Sequence, residues 1–138
     1  MTHTAEGTFD VKFEPDGTRD EGEGSALARF FLTKRYHGPL NAESHGHMIS
    51  AASTTENESA AYAAVERLTG SLDGRSGSFT LVHRGIMSPD GRELRIAIVP
   101  DTGTGELKGI SGTLDIDIAP DRTHHYRITY TLPGGDVH

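Results

Sequence analysis

The stretch Ser59–Met87, SAAYAAVERLTGSLDGRSGSFTLVHRGIM, sets two runs of alternating side chains on either side of a glycine-containing turn. Strand side chains point to opposite faces in turn, so residues two apart share a face. On the first run Tyr62, Ala64, Glu66 and Leu68 fall together; on the second, Phe79, Leu81, His83 and Gly85 do. Each apolar face thus carries one ionisable group. If the runs pair as a hairpin closed by Gly70 to Gly77, Glu66 and His83 point to the same side at similar depth. A carboxylate and an imidazole on neighbouring apolar faces define a polar spot in a greasy interior.

The same alternation continues on both sides of this stretch. Strands are predicted over residues 4–13, 26–36, 41–51, 59–69, 76–86, 92–99, 110–118 and 124–132. The clearest is Thr113–Ile118, where Leu114, Ile116 and Ile118 alternate with Thr113, Asp115 and Asp117. Tyr126, Ile128, Tyr130 and Leu132 alternate with polar residues in the same way. One apolar and one wet face mark antiparallel sheet. The Ala- and Glu-containing segment Ala51–Val65 would also tolerate helix, but its flanks favour strand. Pro15-Asp16-Gly17, Asp73-Gly74 and Pro89-Asp90-Gly91 are turn signals. Pro100–Gly109 is a longer connection, with Leu107 and Ile110 expected against the end of the fold. The dispersed glycines suit many tight turns.

Many similar strands on short turns leave a sandwich or a closed barrel. Eight strands with one apolar face each favour closure, which removes unpaired edges. The expectation is an all-β, closed eight-stranded antiparallel barrel with a central cavity, as a single domain over residues 1–138.

Composition narrows the function. The formal charge of −7 opposes phosphate-backbone binding, so no nucleic-acid partner is expected. There is no cysteine, which excludes disulfides, thiol nucleophiles and thiolate metal sites. The start, MTHTAEGTFDVKF, has no apolar signal-peptide core, and no run is long enough for a membrane span. A cytoplasmic protein without a membrane partner is expected.

Five segments carry a resemblance: FDVKF (9–13), LTKRYHGPLNAES (32–44), VERLTGSLDGRSGSFTLVHRG (65–85), VPDTGTGELKGISG (99–112) and YRITYTL (126–132). Together they resemble a bacterial family of unknown function grouped with the allene oxide cyclase barrels. GTGELKGISG is also similar to a glycine-rich segment of dirigent proteins. The resemblance implies an eight-stranded barrel with an apolar central cavity, often oligomeric, so a homo-oligomer is expected. Allene oxide cyclases and dirigent proteins hold a reactive molecule in one conformation. No catalytic position of theirs transfers onto this chain.

Glu66 and His83 are the candidate acid–base pair. Burial disfavours a carboxylate, and an imidazole partner would let the two move protons near neutral pH. Alternatively they bond each other, or Tyr62 or Tyr130, and only fix the register. Tyr62, Phe79, Tyr126 and Tyr130 are candidate cavity walls or plain core. Lys34, a candidate ligand-binding residue, shares a parity with Phe30, Leu32 and Tyr36: pointing inward it would be a desolvated base or an anchor for an acidic ligand, but the expectation is a side chain near the barrel mouth, with Glu43 as an ion-pair partner.

His45 and His47 share a face, but no further ligand is in register, and no metal site or cofactor is expected. Gly103–Leu107 lacks the lysine and helix of a phosphate loop. Ser25, Ser76 and Ser78 sit in no nucleophile elbow. These readings leave a barrel that binds an apolar or aromatic small molecule. It is a cofactor-independent isomerase or cyclase, or a lipocalin-like carrier or sensor without turnover. A structural barrel filled by its own side chains, acting through an oligomer surface, is the third reading.

Overall fold

Each of the eight predicted strands is present in the computed structural model, which describes residues 1–133. The last five residues of the expected 1–138 domain lie outside the described residues. The strands are β1 (Thr2–Pro15), β2 (Asp20–Glu21), β3 (Ser25–His37), β4 (Leu40–Ser53), β5 (Ala60–Leu72), β6 (Arg75–Ser88), β7 (Gly91–Ile98), β8 (Ser111–Ile118) and β9 (His124–Thr131). A single 3₁₀ turn, Gly105–Leu107, is the only helical element among the described residues. The segment that would tolerate helix is instead the end of β4, a loop and the start of β5.

The sheet runs β1-β9-β8-β7-β6-β5-β4-β3-β2, and β1 also pairs with β3 from Thr8↔His37 to Pro15↔Phe30. That last pairing shuts the sheet into an antiparallel barrel of eight strands. The two-residue β2 is extra, laid beside Ala26 and Leu27 beyond the end of β1.

The β5–β6 turn is tighter than Gly70–Gly77. Strand pairing continues to Leu72↔Arg75, leaving Asp73 and Gly74 as the two loop residues. Both have positive φ, 50° and 83°. This is the type I′ geometry that matches the twist of paired strands, and it fixes the register of every pair above it.

The two ends of the barrel differ. At one end Leu40, Leu72 and Tyr126 are fully buried, and the Val99–Ile110 connection plugs the barrel there with its own buried Leu107 and Ile110. At the other end the inward side chains Val11, Phe30, Met48, Ser50, Tyr62, Leu94 and Ile116 are only half-buried. The side chains at this upper, open end are thus less covered than those at the plugged lower end.

Not every glycine serves a turn. Gly7 and Gly85 lie mid-strand and pair with Tyr126 and Tyr62. A Cβ at either position would come within 2.5 Å of the opposing tyrosine's side chain. These glycines are where aromatic rings lie flat on a bare backbone.

Candidate functional site

Glu66 stands midway along β5 and faces inward, with Gly46 of β4 directly opposite. A Cβ on Gly46 would come within 2.9 Å of the Glu66 Cβ, so the bare backbone makes room for the carboxylate side chain. Four donors converge on it. His83 Nε2 lies 2.6 Å from Oε1, and Lys34 Nζ donates to the same oxygen at 2.9 Å. Ser44 Oγ donates to Oε2 at 2.6 Å, and the Tyr36 hydroxyl lies 3.1 Å from both oxygens. All five side chains are buried, Glu66 with 1 % exposure. The Lys34 ammonium also lies 4.9 Å from the centroid of the Phe9 ring, close enough for a cation–π contact.

Burial alone would raise the Glu66 pKa. The His83 hydrogen bond, the Lys34 charge and the Ser44 hydroxyl outweigh it and hold the carboxyl at about 2. Burial, then the neighbouring Glu66, push the Tyr36 phenol well up, so Tyr36 stays a neutral donor. An ionised, saturated carboxylate is a poor proton acceptor. It is a good anchor: the charge on Glu66 requires the proton on His83 Nε2, which fixes the ring's orientation.

His83 pairs with Ala64, one inward position nearer the open end than Glu66. Its Nδ1 makes no hydrogen bond among the described residues. No fully enclosed side-chain nitrogen or oxygen among them lacks a partner, so Nδ1 must border accessible space.

Lys34 corrects the sequence expectation. It is not at the mouth but 6 % exposed in the interior, and its partner is Glu66. Glu43, on the opposite parity of β4, is exposed on the outer face. The register explains the difference: Lys34 pairs with Ser44, so both side chains point inward beside Glu66.

The aromatic candidates separate. Tyr62 is half-buried in the open half, its ring over Gly85. Phe79 is buried in the lower core. Tyr126 and Tyr130 tie down the closed end. The Tyr126 hydroxyl donates to the His37 carbonyl at 2.9 Å and accepts from the Leu40 amide at 3.0 Å. The Tyr130 hydroxyl donates to the Asp73 carboxylate of the β5–β6 turn. His45 and His47 are exposed on the outer face. Among the described residues, no group of three or more His, Asp or Glu is placed to hold a metal ion. Tyr36 and Ser44 are the site residues that sequence reasoning missed. The parity shared with Lys34 was the signal for Tyr36; Ser44 enters only through the β3–β4 register that pairs it with Lys34.

The family model described as "Protein of unknown function (DUF3224)" matches residues 5–130. The chain belongs to the DUF3224 family. A DUF3224 protein of unknown function from Shewanella oneidensis MR-1, solved as a crystal structure at 1.84 Å, is 38 % identical to it. The two superpose with a TM-score of 0.90 over 98 % of this chain and 100 % of that one. No curated protein matches the chain. The buried Glu66 cluster is thus a candidate site in a DUF3224 barrel. No helix of the described DUF3224 chain is long and apolar enough to cross a membrane.

Proposed function

We propose that this protein binds an apolar or aromatic small molecule in the open half of the barrel, with His83 as the polar contact at its floor. The observation that carries the reading is the Nδ1, without a partner among the described residues, of a ring whose other nitrogen is locked onto Glu66. The half-buried Val11, Phe30, Met48, Tyr62 and Leu94 supply apolar walls above it. The resemblance to allene oxide cyclase barrels supports a cavity of this kind.

The Glu66–His83 geometry favours a second reading, a cofactor-independent isomerase or cyclase. A base oriented by an ionised carboxylate is the arrangement of a general acid–base. The proton would move at Nδ1, not at Glu66. A carrier would use the same pocket without turnover.

Displacement of an apolar fluorophore by a panel of aromatic and aliphatic molecules tests the binding reading. One ligand per chain is expected. His83→Gln should weaken acceptor- or donor-bearing ligands about 3- to 10-fold, the worth of one hydrogen bond, and leave plain hydrocarbons unchanged. Absence of binding, or identical binding by His83→Gln and Tyr62→Ala, would remove the pocket from the barrel's function.

A further inference from the structure

Nine large hydrophobic side chains are exposed among the described residues, and six of them lie on one outer face. These are Leu27 and Phe31 of β3, Ile49 of β4, Val65 of β5, and Val82 and Ile86 of β6. We propose that this outer face of β3–β6 docks a second copy of the same chain, sheet against sheet.

Three observations select that partner. The first is area. Six such side chains at 39–59 % exposure present on the order of 500 Å², near the top of the range for a monomer's largest patch. Ala51, Ala61, Ala63 and the stems of Arg29 and Arg84 extend the face toward the ~800 Å² each partner gives to a standard interface.

The second is shape. The register sets Leu27–Ala51–Ala61–Ile86 in one row across the strands and Arg29–Ile49–Ala63–Arg84 in the next. Reversed, the first row keeps its large–small–small–large order. In the second, reversal sets Ile49 against Ala63. A two-fold axis running along the strands lays β3 over the partner copy's β6 and β4 over its β5. Ile49, the most exposed of the six at 59 %, then seats on Ala63 of the other copy, and the reverse contact forms at the same time. Isologous interfaces require this reciprocity. A cleft of about 790 Å³ opens beside these rows, lined by Ile49, Ala51, Ala61 and Ala63 and also reaching Ser50 and Tyr62 of the inward parity. Packed faces of two sheets stand about 10 Å apart, within reach of these side chains.

The third is charge. The same axis brings Arg29 near Arg84, but Glu93 accepts hydrogen bonds from Arg84 at 3.2 Å and from Arg95 at 3.3 Å. Arg84 therefore has an acid partner that offsets the like charge, and Asp20 lies along the same cleft as Arg29.

Sedimentation equilibrium of the full chain, from low micromolar to several hundred micromolar, tests this. Wild type is expected at twice the 14.8 kDa chain mass. Ile49→Asp and, separately, Val82→Lys should each return the mass to that of one chain, with unchanged far-ultraviolet circular dichroism. Ile118→Asp, at an exposed apolar residue off this face, should stay dimeric. A wild type that is monomeric throughout would overturn the proposal, whether or not the cleft takes up a small apolar probe or another protein. So would a dimer untouched by both face variants.

Discussion

Removing the Glu66 carboxylate would leave the Lys34 ammonium inside the barrel with no anion beside it. Breaking one side of a buried ion pair costs about 3–5 kcal/mol, whereas replacing both sides by apolar groups is often neutral. Glu66→Leu should therefore lower the urea midpoint sharply, and Lys34→Met/Glu66→Leu should recover more than about 1 kcal/mol of that loss. A double variant no more stable than the single would mean that Lys34 and Glu66 do not act as a pair. His83 stands apart in this scheme. Its Nε2 helps hold the carboxylate at 2.6 Å, and in the proposed function its other nitrogen is the atom offered to a ligand.

At the scale of the strand pair, Tyr62 and Gly85 form one unit. The bare backbone of Gly85 is the seat of the Tyr62 ring, since a Cβ there would fall 2.4 Å from its Cε1. Gly85→Ala should push the ring off β6 into the open half. Binding of an apolar probe should weaken about tenfold or more, while Gly74→Asn, at a turn position facing no neighbour, leaves it unchanged. Equal binding by Gly85→Ala would mean the probe does not sit beside Tyr62. This hairpin also marks the limit of what the sequence made legible. Alternation assigned Glu66 and His83 to one face, and they touch, because a two-residue turn leaves few registers. The Lys34–Glu66 contact joins β3 to β5 across an intervening strand, and its geometry depends on two registers at once. Parity placed Lys34 on the inner face but could not say how deep. A long flexible side chain fits the mouth or the interior equally well. The two residues of β2 are too few to show any period.

Across the whole molecule, the barrel is closed around a charge. The Glu66 carboxyl is held at about 2 in the folded chain against 4.5 as its ordinary value. A depressed folded pKa contributes stability that is fully present above the unfolded value and lost as pH falls through the folded one. Acid should therefore remove on the order of 3 kcal/mol between about pH 4.5 and pH 2, at constant ionic strength. Carbon-13 NMR of the Glu66 Cδ, assigned by its loss in Glu66→Gln, follows the group itself. The resonance is expected to keep its carboxylate shift as pH is lowered through the ordinary glutamate range while the chain stays folded. A folded-state midpoint at or above about 4.5 would contradict an ionised, donor-saturated Glu66, and with it the assignment of His83 as the oriented, ligand-facing group.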